Sequence, residues 1–129
     1  MSHSPPLDLI VSIKNGYSAG KLNLVAPFSR YSQDILDLLK KNQLILDFTK
    51  TTSSDSISHF EIKLLPNTNR FRYIKVFSKP GRRFYSTKSA LPWGSTPSSI
   101  IIISTSKGVM TQKQAHHLGL GGEVLAEIT

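Results

Sequence analysis

The spacing of apolar residues predicts two helices in the first half of the chain. Apolar residues repeat at helical spacing from Leu7 to Val11. Asn15-Gly16 is expected to stop this helix, because glycine commonly follows a helix C-terminus. A second apolar stripe lies between Ile35 and Leu39, and Ser32 is expected to cap that helix, with Asp34 favourable in its first turn.

Strand patterns lie between and after these helices. Apolar and charged residues alternate from Phe60 to Leu64, which is typical of a half-buried strand. The first half therefore has the predicted order helix, strand, helix, strand, strand. Shorter strands are predicted at Lys21–Val25 and Leu44–Phe48, and a polar loop at Thr49–Ser58.

The second half is richer in strand signals. Ile100–Ile103 is a β-branched run without polar alternation, which predicts a strand covered on both faces. Thr111 and Gln114 fit a capping box, so a short helix is expected to run to about His117 or Leu118. Gly119 is expected to end it. Further extended segments are predicted at Phe71–Phe77, Arg83–Ser86 and Val124–Ile128.

These elements predict an α+β fold made of two small α/β lobes packed together. The chain has 129 residues, which is room for one domain or for two small lobes that share an interface. The N-terminal lobe is assigned to residues 1–68 and the C-terminal, mostly β lobe with one short helix to residues 69–129. A polar connector at Asn67–Asn69 marks the boundary.

The net charge indicates an anionic partner. Lys and Arg number 16 against 8 Asp and Glu, giving +8 and a pI near 9.9. Such a balance favours nucleic acid first and an anionic membrane surface second. The longest apolar run, Ile100–Ile103, is far shorter than a membrane helix needs, and no signal peptide is visible at the N-terminus. We therefore expect no membrane partner.

The positive charge is concentrated in one part of the chain. From Ile62 to Gly122 there is no acidic residue, and aromatic residues are interleaved with the bases. Basic and aromatic side chains together suit phosphate pairing and base or ribose stacking, so the pattern favours RNA over an unoccupied basic face. The bases of this stretch are Lys63, Arg70, Arg72, Lys75, Lys79, Arg82, Arg83, Lys88, Lys107 and Lys113.

Enzymatic chemistry finds little support in the sequence. There is no cysteine, which excludes disulfides, thiolate metal sites and cysteine nucleophiles. His116 and His117 are adjacent and point in different directions on a helix, so one is expected at the surface and one in lobe packing. A hydrolase using Ser106 would need a base and an orienting acid, yet the basic half has no carboxylate before Glu123. We expect no catalysis, no cofactor, no metal and no small-molecule substrate.

The segment Ser104–Met110 is the most informative polar stretch. It offers three hydroxyls and a lysine, and Gly108 allows close backbone approach. Its backbone N–H groups are expected near the following helix N-terminus, where they could face an anion. Hydroxyls both donate and accept, so they can contact base edges and ribose 2′-OH groups. From the residues alone, turn chemistry and RNA binding remain equally open for this segment.

Three blocks of sequence resemble one known family. Ser104-Thr105-Ser106-Lys107-Gly108-Val109-Met110-Thr111, followed by Gly119-Leu120-Gly121-Gly122-Glu123-Val124, is similar to the signature of the small-subunit ribosomal protein eight family, of bacterial and organellar type. Ser78-Lys79-Pro80-Gly81-Arg82-Arg83-Phe84-Tyr85 resembles its Ser-Arg-Pro-Gly-x-Arg-x-Tyr block. Ile13-Lys14-Asn15-Gly16 resembles its Ile-Arg-Asn-Gly. The resemblance spans essentially the whole chain.

The resemblance implies two packed α/β lobes that bind an irregular helix in the central domain of small-subunit rRNA. It implies a role in early assembly and structural support without catalysis, beside neighbouring small-subunit ribosomal proteins. The RNA-binding loop, the RNA-contacting tyrosine and the supporting turn fall on particular positions of this chain. The candidate RNA-binding residues are Ser104, Thr105, Ser106, Lys107, Gly108 and Tyr85, with the bases Lys14, Arg30, Lys79, Arg82 and Arg83; the supporting turn is Gly121, Gly122 and Glu123.

Some positions depart from the family pattern. Ser86 stands where a base usually follows the tyrosine, and Thr96-Pro97-Ser98-Ser99 replaces a glycine-rich approach to the buried strand. The loop with Trp93 is also unusual. A high content of Ser, Thr, Asn and Ile favours a mitochondrial member, with a plastid or the bacterial cytoplasm as alternatives. An alternative function is a regulatory RNA-binding protein that clamps a messenger mimic of the rRNA site.

Overall fold

Three helices and two antiparallel sheets make up the part of the chain that the computed structural model describes, which is residues 5–66, 71–78, 81–87, 89 and 99–129. The predicted α+β class is therefore confirmed. The elements are α1 (Pro5–Ser18), β1 (Asn23–Pro27), α2 (Arg30–Lys41), β2 (Asp47–Thr52), β3 (Ser58–Lys63), β4 (Ile74–Val76), β5 (Tyr85–Ser86), β6 (Ile100–Thr105), β7 (Gly108–Thr111), α3 (Gln112–Leu118) and β8 (Gly122–Ile128).

The N-terminal sheet has three strands in the order β1-β3-β2. Phe60, Ile62 and Leu64 are buried, as their alternation with charged residues predicts, and they join the core that α1 and α2 cover. The opposite face of β3 carries the exposed Glu61 and Lys63. One covered face and one solvated face are the usual arrangement of an antiparallel sheet.

The C-terminal sheet has the order β4-β8-β6-β7, and β5 pairs with the first residues of β8. Its strand β6 is buried on both faces, as predicted: Ile101, Ile102 and Ile103 are each 0% exposed. Ile100 and Ile102 belong to the core shared with α1 and α2, whereas Ile101 and Ile103 pack in a smaller core with Ala115 of α3. Helices on both sides of the sheet thus explain why β6 has no polar alternation.

One hydrophobic core connects the two halves of the chain. It contains Ile10 and Ile35 from the helices together with Leu125 and Ile128 from β8. The polar connector expected at Asn67–Asn69 lies outside the described residues, so the boundary between residues 68 and 69 stays a prediction.

Helix α1 is longer than predicted. It continues through Asn15-Gly16 to Ser18, and Gly20 with φ +71° follows it instead. Gly16 is buried, and a Cβ there would lie 2.9 Å from Cδ1 of Leu24. Glycine at this position lets the helix approach β1 closely, so it serves packing and not helix termination.

Helix α2 begins three residues earlier than predicted. Its N-cap is Ser29, whose side chain accepts a 3.0 Å hydrogen bond from the Ser32 backbone N–H. Ser32, the predicted cap, is buried inside the first turn and accepts a 2.8 Å hydrogen bond from the Ser29 hydroxyl. Asp34 consequently lies beyond the first turn. Ser29 and Ser32 are three residues apart and serine is a favoured N-cap residue, so the sequence alone did not decide between them.

The second strand pair also differs from prediction. Leu44 and Ile45 are buried but precede β2. The strand instead extends over the first four residues of the segment predicted as a polar loop, Thr49–Ser58. Thr49 to Thr52 are strand residues because they pair with β3, and Thr49 lies opposite the exposed Glu61 on the solvated face, where a polar side chain is favourable. In the second half only Ile74–Val76 of the predicted Phe71–Phe77 strand forms β4. None of the described helices is long and apolar enough to cross a membrane.

The short helix α3 agrees with its predicted boundaries. Thr111 is the N-cap, and its hydroxyl accepts a 3.2 Å hydrogen bond from the Gln114 backbone N–H. Gly119 is the C-cap in the left-handed conformation, with φ +69°. The buried Gln112 side chain adds a hydrogen bond between α3 and β6 that the sequence did not indicate. Its Oε1 accepts from the Ile101 N–H at 2.8 Å, which fixes the helix against β6.

Candidate nucleic-acid interface

The polar segment from Ser104 to Gly108 is the tip of a β-hairpin formed by β6 and β7. Thr105 closes the tip: its hydroxyl donates to the Gly108 carbonyl at 2.8 Å and accepts from the Lys107 N–H at 3.1 Å. Gly108 has φ +114°, a conformation that side chains disfavour. Ser106 and Lys107 are left exposed at the turn. Thr105 and Gly108 therefore shape the tip, and Ser106 and Lys107 are its accessible side chains.

The hairpin corrects one expectation about this segment. Its backbone N–H groups were expected near the N-terminus of the following helix, but the four residues of β7 separate the tip from α3. The Gln114 N–H in the first turn of that helix is instead satisfied locally by the Thr111 hydroxyl. Anion binding at the tip must therefore depend on side chains and not on the helix dipole.

Four strands place candidate residues in one row across the sheet. Tyr85 of β5 lies opposite Glu123 of β8, Glu123 lies opposite Ser104 of β6, and Ser104 lies opposite Val109 of β7. Directly opposed residues project from the same face of an antiparallel sheet. We call these four residues the cross-strand row. It continues the face on which Ile100 and Ile102 meet α1 and α2.

Tyr85 and Ser104 of the cross-strand row differ in exposure. The Tyr85 ring is 70% exposed, which leaves its aromatic face available for stacking. Ser104, inside the row, is half-buried, and its side chain is near that of Tyr31 in the first turn of α2. Burial raises the pKa of Tyr31 above its ordinary value, and the Glu123 carboxylate raises it further, while the Ser104 hydroxyl and the Arg83 charge oppose this. Tyr31 was not among the residues singled out in the sequence.

Arg83 and Glu123 form an ion pair beside the cross-strand row. An Arg83 guanidinium nitrogen donates to Oε2 of Glu123 at 3.1 Å. The Glu123 side chain is 14% exposed and that of Arg83 47%, so the pair is partly shielded from solvent. Arg83 therefore has a structural partner, and its charge is partly neutralised before any RNA binds. Arg82 is exposed at the adjacent position.

The supporting turn depends on glycine for a steric reason. A Cβ at Gly122 would overlap the carbonyl oxygen of Ser104, because β8 passes directly against β6 at this point. Glu123 follows at once and pairs with both neighbouring strands. Gly122 thus sets the close approach that aligns the row, while Gly121 precedes β8 and is half-buried.

Ser78 anchors the segment that carries the arginines and Tyr85. It is 0% exposed, and its hydroxyl donates to the Val124 carbonyl at 2.7 Å and accepts from the Phe84 N–H at 2.9 Å. The Phe84 carbonyl in turn accepts from the Val124 N–H at 2.8 Å. In the sequence, Ser78 was named only as part of a motif. The position of this serine next to a turn signature could have indicated the anchoring role.

The remaining predicted RNA-binding bases are distributed unevenly. Arg30 is exposed as the first residue of α2, directly before Tyr31. Lys14 is half-buried on α1, and no hydrogen bond or ion pair among the described residues links it to the hairpin. Lys79 lies outside the described residues. The structure therefore brings Arg30 towards the cross-strand row but not Lys14.

Helix α2 also brings acidic residues to the hairpin. Asp34, Asp37 and Lys41 line a cleft whose opposite wall includes Lys107 and Gln114. The stretch without acids in the sequence is therefore not an acid-free surface in three dimensions. The sequence did not show that these aspartates lie near Lys107, because they are far from it along the chain.

Metal binding receives no support from the described residues, among which no three His, Cys, Asp or Glu side chains are grouped to hold an ion. The prediction that one of the two adjacent histidines lies at the surface and the other in lobe packing is wrong. Both His116 and His117 are exposed, because Ala115 is the α3 residue that faces the core.

Comparison with known proteins places the chain among ribosomal proteins. A family model described as Ribosomal protein S8 matches residues 5–129. Similar curated proteins are named small ribosomal subunit protein uS8. They include those of Stenotrophomonas maltophilia (strain R551-3), 41% identical over 128 residues and 97% of each chain, and Wigglesworthia glossinidia brevipalpis, 35% identical over 129 residues and 99% of each. The chain belongs to the ribosomal protein S8 family, which confirms the resemblance found in the sequence motifs.

Proposed function

We propose that the protein is a structural constituent of the small ribosomal subunit that binds the central domain of small-subunit rRNA and supports its assembly. The observation that carries this proposal is the cross-strand row, which ends at an exposed tyrosine on one side and continues into an exposed Ser-Lys hairpin tip on the other. Membership of the S8 family and the names of the uS8 relatives support it.

The geometry suits recognition of folded RNA. Phosphates attract Lys107 and Arg82, whereas bases and riboses are distinguished by hydroxyls and by stacking. Ser106 and Tyr85 offer these two kinds of contact from elements fixed by strand pairing. Because strand pairing already fixes the backbone of these elements, less backbone entropy is lost on binding. Lys79 and Lys14 are proposed as additional phosphate contacts from their motif positions alone.

The site favours binding without catalysis. Its one carboxylate in the cross-strand row, Glu123, is engaged by Arg83, so it is poorly placed to act as a general base for Ser106. The RNA-binding surface is assigned to the lobe formed by residues 69–129, and neighbouring small-subunit proteins are the further expected partners.

A mitochondrial ribosome is proposed as the location, on the basis of the high Ser, Thr, Asn and Ile content. The relatives named above are bacterial. The test is co-sedimentation of the tagged protein with small subunits from fractionated cells at high salt. Recovery with cytosolic or plastid small subunits only would refute the mitochondrial assignment and leave the ribosomal role intact.

The binding function is tested with a central-domain rRNA fragment and a scrambled RNA of equal length. Five or six phosphate contacts predict a log–log salt slope of roughly −4.5 to −5.5 by analogy with duplex DNA. Lys107→Ala is expected to weaken the binding of both RNAs about equally and to make the salt slope shallower by nearly one unit. Lys63→Ala, on the exposed face of the N-terminal sheet, is the matched control and should change neither.

Ser106→Ala separates specific contact from charge in the same assay. It is expected to weaken only the matched RNA, by about 2- to 10-fold, as the loss of one hydrogen bond predicts. Parallel loss for both RNAs would show that the tip is only a basic turn. Equal affinity of the unmodified protein for both RNAs, or a salt slope near zero, would contradict the proposed function itself.

A further inference from the structure

A second cleft lies at the other end of β8 from the cross-strand row. It has a volume of about 590 Å³ and lies between the end of α1, the start of β1 and the residues that lead into β4. Small-ligand sites commonly occupy about 300–1,000 Å³. Tyr73 lines this cleft and is hydrogen-bonded to Thr129, whereas the row crosses β8 at Glu123. At about 3.3 Å per strand residue, the two places are roughly 15–20 Å apart.

Aromatic rings form one wall of this cleft. The rings of Tyr17 and Phe71 both line it, and their centroids are 5.6 Å apart. The Tyr17 hydroxyl donates to the Leu44 carbonyl at 2.6 Å and accepts from the Leu65 N–H at 3.1 Å, which fixes the ring. Tyr73 is 69% exposed, so the face of its ring is available for stacking on a planar group.

The backbone before β4 presents two consecutive side chains at the surface. Phe71 is 1% exposed and has φ +65°, a conformation that residues other than glycine rarely adopt. Arg72 and Tyr73 are then both exposed, whereas successive residues of a regular strand point to opposite faces. Their N–H groups donate to the Thr129 carbonyl at 2.8 and 3.2 Å, and the Thr129 N–H donates to the Tyr73 carbonyl at 3.0 Å. These hydrogen bonds hold the segment in place.

The charged side chains at this cleft are basic. Lys21 and Arg72 line it and are exposed, and none of its described lining residues is acidic. No ion pair within the described part of the chain engages either side chain. Lys21 also lines a neighbouring cleft with Glu61 and Lys63, where one acid faces two bases. Lys21 and Arg72 are therefore available to phosphate groups.

The end of α1 does not present free carbonyl groups beside these bases. Ala19, Gly20 and Lys21 donate their N–H groups to carbonyls in the last turn of the helix, at 3.0, 3.1 and 2.9 Å. Carbonyls at a helix C-terminus carry partial negative charge, and these three are occupied. The helix end consequently opposes an anion at Lys21 less than an uncapped end would.

We propose that this cleft is a second RNA-binding site that takes one unpaired nucleotide: its base stacks on Tyr73, and Lys21 and Arg72 bind the flanking phosphates. The inference rests on the proposed RNA-binding function and extends it to a surface outside the hairpin and the family motifs. An acidic protein segment would use the two bases but not the exposed ring. The nucleotide is unpaired because the faces of a base inside a helix are covered by its neighbours.

The test of stacking is the affinity of the full chain for a labelled, single-stranded oligoadenylate, measured by fluorescence anisotropy. Tyr73→Ala is expected to weaken binding about 5- to 150-fold, the range for loss of base–aromatic stacking. Tyr73→Phe keeps the ring and should bind like the wild type. The side chain is exposed, so neither variant should change the melting temperature. Equal affinities of the two variants would overturn the stacking role.

The test of the phosphate contacts is the salt dependence of the same binding. Lys21→Ala and Arg72→Ala should each make the log–log slope shallower by about 0.7, the value per contact for single strands. Tyr73→Ala should leave the slope unchanged. Lys50→Ala is the matched control, because Lys50 is exposed on β2, at the opposite edge of the N-terminal sheet from β1. Equal effects of Lys50→Ala and Lys21→Ala would show general attraction only and overturn the proposal.

Two further probes separate the proposal from its alternatives. An RNA hairpin in which the same adenylates are paired should bind more weakly than the single strand. Binding of a hexaglutamate peptide without binding of oligoadenylate would assign the cleft to a protein partner and overturn the proposal. Failure of the protein to distinguish matched from scrambled rRNA would refute the proposed rRNA function. The oligoadenylate measurements do not depend on that distinction, so the two failures can be told apart.

Discussion

Residues of the same type at this interface have different structural roles, which residue type alone does not reveal. Ser104, Thr105 and Ser106 are consecutive hydroxyl residues, yet Ser104 is half-buried in β6, Thr105 closes the turn, and Ser106 is exposed. The sequence placed all three in one RNA-binding loop. Their separation follows from strand alternation and turn geometry, which become definite only when the hairpin register is known.

Gly122→Ala is predicted to destabilise the protein strongly. The added Cβ would overlap the Ser104 carbonyl oxygen, a backbone atom that cannot rotate away, so β8 must separate from β6. We expect a loss of about 3 kcal/mol in the free energy of unfolding, at the upper end of typical overpacking costs. Chemical denaturation measures it.

Gly119→Ala is the control for that substitution. Gly119 has φ +69° but no atom near the position of a Cβ, so only backbone strain applies, and about 1–2 kcal/mol is expected. If Gly122→Ala were the milder of the two, the close approach of β8 to β6 would not be the reason for glycine at residue 122.

At the scale of elements, the sequence predicted those with a strong local signal. The buried run of β6 and the capped helix α3 were placed correctly because burial on both faces and a Thr cap leave clear patterns. Helix α1 was ended too early, since a glycine used for packing looks the same as a glycine used for termination. Strand β2 was predicted too early, at Leu44–Phe48, because its threonines resemble a polar loop.

Ile102→Ala is predicted to cost about 2–5 kcal/mol of unfolding free energy. Ile102 is 0% exposed and faces the core shared with α1 and α2, so truncation leaves a cavity there. Val25→Ala is the matched control, since Val25 is 70% exposed and its truncation should cost less than about 0.5 kcal/mol. Thermal or urea unfolding compares the two. Wild-type stability of Ile102→Ala would mean that β6 is not a core strand.

Ser78→Ala is predicted to loosen the segment between β4 and β5. It removes a hydroxyl that serves the Val124 carbonyl and the Phe84 N–H, and it leaves both backbone groups short of a partner. We expect a loss of about 1–3 kcal/mol and weaker binding of matched RNA, because Tyr85 follows this segment. Ser12→Ala, exposed on α1, should be close to neutral. Unchanged stability and RNA affinity in Ser78→Ala would exclude the anchoring role.

At the scale of the whole molecule, charge is where sequence and structure differ most. The stretch from Ile62 to Gly122 contains no acidic residue and predicts a basic surface, but α2 places Asp34 and Asp37 across a cleft from Lys107. Family motifs located the hairpin, the tyrosine and the supporting glycines. They did not point to Tyr31, which packs at the start of α2 against the core shared by the two halves of the chain.

Alkaline pH is predicted to destabilise the folded protein through two tyrosines. Burial raises the pKa of both Tyr17 and Tyr31 above the ordinary value near 10. Each therefore contributes its full stability below pH 10 and loses it as the pH rises through the folded-state pKa, since the unfolded chain releases these protons first. Urea midpoints from pH 8 to 11 should fall less steeply for Tyr17→Phe/Tyr31→Phe than for wild type. Identical slopes would contradict the assignment.

The strand order of the C-terminal sheet has a consequence for how the protein is made. Strand β8 hydrogen-bonds to β4, β5 and β6, yet it is synthesised after all of them. The N-terminal sheet needs no residue beyond Lys63 for its strands, so it can pair earlier on the growing chain. The aligned tyrosine, glutamate and serine exist only once β8 has emerged. The cross-strand row is therefore completed later in synthesis than the strand pairing of the N-terminal sheet.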